Sequence, residues 1–251
     1  MTSEQDRHPR LVVLIPAWNE EEALPAVLTE LRQAVPHASL VVINDCSRDA
    51  TAQVAAAGGA TVLNLPINLG VGGAMRTGYL YAWRHGFDRA VQVDADGQHR
   101  PEDIARLLEK MDATGADIVI GARFAERGSY RVRGPRAWAM RFLSHVLSRV
   151  HHTRLTDTTS GFKLTNRKAI GVLADELPAE YLGDTIEALI IASKAGLRVT
   201  QVGVEMRERQ GGTPSHNPLK AARLLLRGII AMAVASTRPG QKDLDGTEGR
   251  Q

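Results

Sequence analysis

The stretch Leu11-Val-Val-Leu-Ile-Pro-Ala-Trp-Asn-Glu20 sets a β-branched apolar run directly against a polar cluster. A short, nearly continuous apolar run of this kind predicts a strand covered on both faces. The same pattern recurs along the chain. Leu40-Val-Val-Ile43 runs into Asn44-Asp-Cys-Ser-Arg-Asp-Ala-Thr51, and Ala60-Thr-Val-Leu-Asn-Leu65 is followed by Asn68-Leu-Gly-Val-Gly-Gly-Ala74. Ala90-Val-Gln-Val93 runs into Asp94-Ala-Asp-Gly-Gln98, and Asp117-Ile-Val-Ile120 supplies a fifth strand. Between these runs apolar residues recur at spacings of three and four, as at Ala23, Val27, Leu28 and Leu31, which predicts amphipathic helices. The alternation implies an α/β fold, a mostly parallel central sheet with helices on both faces. Ligands of such sheets sit outside the carboxyl ends of the strands. The polar clusters fall there repeatedly, and they converge in space if the strands are parallel neighbours.

Composition narrows the class. The 251 residues include 31 basic and 28 acidic side chains, a formal net charge of +3, which argues against a dedicated nucleic-acid binder. The single cysteine, Cys46, excludes an internal disulfide framework and a cysteine-based zinc site. Met1 to Arg10 lacks the apolar stretch of a signal peptide, and no apolar run approaches the ~20 residues of a membrane span. The expected location is therefore cytoplasmic, or peripheral on the cytoplasmic face of the membrane.

Asp94-Ala-Asp96 is the sharpest chemical feature. Two carboxylates one residue apart at a strand end can reach one hard cation from the same side, and Gln98 adds a neutral oxygen. Such ligands suit Mg²⁺ or Mn²⁺. An Asp-Gly turn with no ligand is the plainer alternative. Asn19 has two readings as well: a binding residue, or a helix cap with Glu22 as its capping-box partner. Glu20 to Glu22 suit the positive end of a helix dipole, and Ser47, Asp49 and Thr51 suit an ordinary turn. Asp45, ending a buried strand, is harder to explain without a function. Gly70-Val-Gly-Gly-Ala74 lacks the third glycine of a dinucleotide fingerprint, since position 75 is Met75, and it lacks the ending of a P-loop. It reads as a helix N-terminus that approaches a ligand or loop, or, at Gly73 and Gly78, as close helix–sheet packing.

Taken together, Pro16-Ala-x-Asn-Glu20, Asp45-x-Ser47-x-Asp49-x-Thr51, Asn68-x-Gly70, Asp94-Ala-Asp96-Gly-Gln98 and Gly121-Ala-Arg123 resemble family 2 inverting glycosyltransferases. The similarity is to the dolichol-phosphate mannosyltransferase-like and polyprenyl-phosphate glycosyltransferase-like subgroup. It extends through Asp157-Thr-Thr-Ser-Gly-Phe-Lys163 and Val202 to Gly212. The resemblance implies a GT-A fold, a nucleotide-sugar donor and Mg²⁺ or Mn²⁺ held by Asp94, Asp96 and Gln98. It implies that Pro16, Ala17, Asn19, Glu20 and Asp45 line the nucleoside pocket, with Gly70, Asp94, Ala95, Asp96 and Arg209 completing the nucleotide-sugar site. Arg123, Ser160 and Arg209 then sit near the donor diphosphate or the acceptor phosphate. The chain departs from the family pattern at Asn44, where many relatives carry an acid, and at Gly212-Thr-Pro-Ser215. It departs again at Gly183-Asp-Thr-Ile-Glu187, where relatives that glycosylate hydroxyls often carry a Glu-Asp pair.

The expected reaction is direct displacement at the anomeric carbon, with Arg123 and the cation countering charge on the departing diphosphate. A lipid phosphate acceptor is already anionic and needs no strong base. A hydroxyl acceptor needs one, and Asp184 and then Glu187 are the candidates, both also readable as first-turn helix acids. Between Arg127 and Thr156 lie seven arginines, three histidines and no acid. Within this block Arg131, Arg136 and Arg141, with Ser160 beyond it, are candidates for binding an acceptor phosphate. A solvated basic face is the alternative.

The expected layout is a flexible tail at 1–9, the GT-A domain at 10–216, an amphipathic helix at 217–238 and a second tail at 239–251. That helix has Lys220, Arg223 and Arg227 on one face, which suits a membrane surface, and core packing is the alternative. The expected partners are the nucleotide sugar, a lipid phosphate or glycan acceptor, and a membrane surface or small membrane protein, with no nucleic acid. Three competing activities are set against polyprenyl-phosphate glycosylation. They are transfer to a sugar hydroxyl in polysaccharide synthesis, nucleotidyl transfer, which the glycine-free Pro16–Glu20 loop disfavours, and non-catalytic nucleotide-sugar binding.

Overall fold

In a computed structural model of the chain the described residues are 9–122, 148–149, 153, 155–157, 160–177 and 184–208. Seven strands form one sheet: β1 (Leu11–Ala17), β2 (Ser39–Asn44), β3 (Thr61–Asn64), β4 (Arg89–Gln92), β5 (Ile118–Ala122), β6 (Lys163–Asn166) and β7 (Val199–Gly203). The helices are α1 (Leu24–Ala34), α2 (Thr51–Ala57), α3 (Gly70–Arg84), α4 (Asp103–Thr114), α5 (Arg167–Glu176) and α6 (Asp184–Lys194). The sheet order is β3-β2-β1-β4-β6-β5-β7. Neighbours pair in parallel except at β6, which runs antiparallel to both β4 and β5. The chain therefore has the expected α/β architecture with a mostly parallel sheet.

Alternate strand residues feed two cores, as the pleat requires. Val13, Ile15, Val42, Val91 and Val119 face Leu24, Leu28 and Leu31 of α1, Ala55 of α2, and Ile104 and Leu107 of α4. On the other face Val12, Leu14, Val41 and Ile43 meet Met75 and Tyr79 of α3, Ile170 and Leu173 of α5, and Leu189 and Ala192 of α6. Gly78 brings α3 close to the sheet: a Cβ there would lie 3.2 Å from methyls of both Ile43 and Leu14. Of the two readings given to Gly78, close helix–sheet packing is the one found.

β6 is the element that the sequence pattern does not predict. Its four residues, Lys-Leu-Thr-Asn, contain one aliphatic side chain, yet Lys163, Leu164 and Thr165 are all buried. The Thr165 hydroxyl donates to the Ala90 carbonyl at 3.0 Å, which satisfies it inside the sheet. Burial of polar residues on one face erased the periodicity that marks other strands.

Among the described residues no helix is long and apolar enough to cross a membrane. The expected helix at 217–238, the tail at 239–251 and all but the last residue of the tail at 1–9 lie outside the described residues.

Candidate active site

The order β2-β1-β4 places three carboxyl ends side by side. Ala17 at the end of β1 pairs with Asn44 at the end of β2, and the Val93 N–H donates to the Leu14 carbonyl at 3.0 Å. The loops beginning at Pro16, Asp45 and Asp94 therefore rise from one edge, as the sequence predicts.

The first two loops are sewn together by hydrogen bonds that each run between them. The Asn19 N–H donates to Ser47 Oγ at 3.0 Å, and Asn19 Oδ1 accepts the Arg48 N–H at 2.8 Å. The Glu20 N–H donates to Thr51 Oγ1 at 2.9 Å, and the Glu21 N–H to Asp49 Oδ2 at 3.2 Å. Glu21 Oε2 in return accepts the Ala50 N–H at 2.8 Å, at the start of α2. These bonds replace the capping box considered for Asn19. α1 begins later, at Leu24, with Ala23 as a cap that makes no side-chain bond and with no acid in the first turn. Asn19 instead sits at φ 55°, a left-handed conformation that asparagine tolerates better than most residues.

Asp45 serves a second helix across space. Its carboxylate accepts the Leu69 N–H at 2.7 Å and the Gly70 N–H at 2.8 Å, the first donors of α3. This is an N-terminal cap supplied by another loop, and it places negative charge at the positive end of the helix. Gly70 has φ 74°, which a side chain would resist. Burial raises the Asp45 pKa above its ordinary value, opposed by the two N–H donors. At Asp49 burial also pushes upward, but the Thr51 hydroxyl and the Thr51 and Glu21 N–H groups outweigh it and hold the carboxyl below its ordinary value.

The loop after β4 carries the paired acids. Asp96 is buried and its Oδ1 accepts the Gln98 N–H at 3.1 Å. The Asp94 side chain retains 37% of its exposure. Against it lies Gly161: a Cβ there would sit 3.0–3.1 Å from both Asp94 carboxylate oxygens. Ser160 precedes it, buried, with Oγ accepting the Phe162 N–H at 3.3 Å. The Arg207 N–H donates to the Gln98 carbonyl at 3.0 Å, and Met206 bridges to His99. Ion pairs of Arg207 with Glu30 (2.6 Å) and of Arg100 with Glu205 (2.5 Å) fasten the segment after β7 to its surroundings.

The structure thus brings together Pro16, Ala17, Asn19, Glu20, Asp45, Gly70, Asp94, Ala95, Asp96, Gln98 and Ser160 on adjoining loops. Asp184 and Glu187 lie in the first turn of α6. Arg123, Arg131, Arg136, Arg141 and Arg209 lie outside the described residues. Three contributors carry no sequence motif of their own: Glu21, Gln92 and His99. Gln92 was open to notice as a polar residue in an apolar strand, Glu21 depends on partners in the loop after β2, and His99 bonds Asp94 five residues before it in the same loop.

The oxygen-only set of Asp94, Asp96 and Gln98 fits a hard divalent cation. Among the described residues no group of three or more His, Cys, Asp or Glu side chains could hold a metal ion. A cation on Asp94 and Asp96 would therefore take its remaining ligands from Gln98, substrate and water, as Mg²⁺ does in phosphate-bearing sites.

The paired carboxylates of the loop after β4 lie outside the carboxyl ends of the strands, where ligands of doubly covered α/β sheets bind. Residues 12–173 match the family "Glycosyl transferase family 2", and the chain belongs to that family of glycosyltransferases. It is 31% identical over 214 residues to an undecaprenyl-phosphate mannosyltransferase of Micrococcus luteus, covering 81% of this chain and 86% of that protein. It is 29% identical over 218 residues to a polyprenol monophosphomannose synthase of Mycolicibacterium smegmatis, covering 81% and 79%. Among solved structures, glucosyl-3-phosphoglycerate synthase from Mycobacterium tuberculosis with Mn²⁺, UDP and phosphoglyceric acid superposes with a TM-score of 0.66. Its sequence identity is 20%, covering 92% of this chain and 80% of that one. That likeness establishes the GT-A fold.

Proposed function

We propose that the protein transfers a hexose from a nucleotide diphosphate sugar to a polyprenyl phosphate, with inversion at the anomeric carbon. The observation that carries this reading is the meeting of the Pro16–Glu20, Asp45 and Asp94–Gln98 loops at one sheet edge. Two relatives named for polyprenyl-phosphate mannose transfer support the acceptor and make mannose the first sugar to test.

In this reading the rigid β1 and β2 loops hold the nucleoside, and the short helix-capping bonds of Asp45 fix the wall of its pocket. Asp94, Asp96 and Gln98 hold Mg²⁺ or Mn²⁺, which when bound neutralises the donor diphosphate. Arg123 and Arg209 bear on the diphosphate or on the acceptor phosphate. Arg131, Arg136 and Arg141, in the acid-free block, gather the acceptor headgroup, with Ser160 next to Gly161, the residue that faces Asp94. The acceptor oxygen is anionic, so Asp184 and Glu187 have no proton to remove. The peripheral membrane contact follows from the acceptor, a lipid, and the 217–238 segment is the surface offered to it.

The test is transfer from radiolabelled GDP-mannose, UDP-glucose and UDP-N-acetylglucosamine to undecaprenyl phosphate, with Mn²⁺ or Mg²⁺ and with EDTA. A metal-dependent glycolipid that mild acid cleaves supports the reading. Transfer to glycan hydroxyls alone, or consumption of no donor, overturns it.

A further inference from the structure

Asp94 is held in place from three sides, and two of the groups that hold it belong to no motif. Gln92 lies two residues earlier, at the end of β4, and its side chain shares a sheet face with Asp94. It is 1% exposed. Its Nε2 donates to Asp94 Oδ1 at 3.3 Å, as it must, because a carboxylate only accepts. Its other amide atom, Oε1, is buried with no hydrogen-bond partner among the described residues. A half-satisfied amide inside a sheet is a stability cost. In the sheet Gln92 stands between Leu14 on β1 and the buried Lys163 on β6. Among the described residues, the interaction that favours glutamine there is the bond to Asp94.

His99 holds the same residue from the far end of the loop. The Asp94 N–H donates to His99 Nδ1 at 3.0 Å, so Nδ1 carries no proton. The ring proton is then on Nε2, which faces Asp94 Oδ2 at 3.7 Å. The imidazole is buried and stacks on Phe162, with centroids 4.9 Å apart and planes at 20°. Phe162 follows Gly161, whose missing side chain leaves room for the carboxylate. Gly161 does not have a positive φ, so its backbone would accept alanine.

We propose that Gln92 and His99 are positioning residues that aim the Asp94 carboxylate at a divalent cation, Gln92 at a cost in stability to the sheet. This rests on the reading of Asp94 as a cation ligand given above. Outer groups that orient metal ligands change metal affinity by about 10–100-fold when removed.

The test is isothermal titration of the full chain with GDP and with UDP, each with and without Mn²⁺, alongside thermal melts. Wild type should bind at least one nucleotide more tightly with Mn²⁺. Gln92→Met should lose about tenfold or more of that Mn²⁺-dependent gain. Its metal-free nucleotide affinity should be unchanged and its Tm equal to or above wild type. His99→Phe, which keeps the ring on Phe162 and removes both nitrogens, and Gly161→Ala, which crowds the carboxylate, should lose the same gain. Their metal-free binding certifies the fold should Gln92→Met fail to fold. A Mn²⁺ gain that survives within twofold in the folded variants overturns the proposal and leaves the donor reading intact. A wild type that shows no Mn²⁺ gain with either nucleotide overturns both.

Discussion

The backbone N–H of Glu20 donates to the hydroxyl of Thr51, 31 residues away, at 2.9 Å in a buried setting. The same hydroxyl donates onward to Asp49, which also accepts from Glu21. Thr51 therefore closes a relay that ties the loop after β1 to the start of α2. Thr51→Val keeps the shape and leaves a buried N–H without an acceptor, at about 1–3 kcal/mol. Urea denaturation should report that loss, and Thr51→Ser should recover most of it.

Asn19 provides a test of backbone conformation. At φ 55° an alanine is strained by roughly 1–2 kcal/mol and also loses the bond to the Arg48 N–H. Glycine loses the bond alone. Asn19→Gly should therefore melt above Asn19→Ala, an order opposite to that expected at a helical position.

The two carboxylates of the loop after β2 should titrate on opposite sides of the ordinary value of 3.8. Asp49 is lowered, so its contribution to stability is present above 3.8 and is lost as pH falls through its lower folded value. Asp45 is raised, so the folded state resists its ionisation. That cost is absent in acid, grows as pH rises through 3.8, and is complete above the raised folded value. Carbon-detected NMR titration of the carboxyl groups should give a midpoint above 3.8 for Asp45 and below it for Asp49.

Asp94→Ala and Asp96→Ala should each lower kcat on the order of 10²–10³-fold or more, as loss of one preorganised charge-stabilising element does. Asp184→Asn and Glu187→Gln should change kcat less than about tenfold with a phosphate acceptor, whereas loss of a general base costs about 10²–10⁴-fold. Steady-state kinetics on undecaprenyl phosphate separates the two cases.

Much of this architecture is legible in local pattern. The apolar runs at Leu11, Leu40, Ala60, Ala90 and Asp117 match β1–β5 to within one or two residues at each end. β1, β2, β4 and β5 carry their own signal because each is buried on both faces, and the half-buried edge strand β3 shows through Val62 and Leu63. The joining of the Pro16, Asp45 and Asp94 loops was also accessible, since parallel neighbours deliver their carboxyl ends to one edge. β6 was not, because Lys163 and Thr165 are polar residues buried by contacts with distant strands. Of the two readings given to Asn19, the helix cap is not found, for a related reason. Its local sequence suits a cap, and its actual partners, Ser47 and Arg48, come from another loop.

The antiparallel strand wedged between β4 and β5 also governs how the polypeptide can be made. As the nascent chain leaves the ribosome, β2, β3 and β4 each find a neighbour already synthesised. Among the described strands β5 finds none until β6 appears roughly 40 residues later, about 2–8 s at ordinary translation speeds. During that interval two sticky edges are left open, and they are where chaperones would be needed and where truncated products should aggregate.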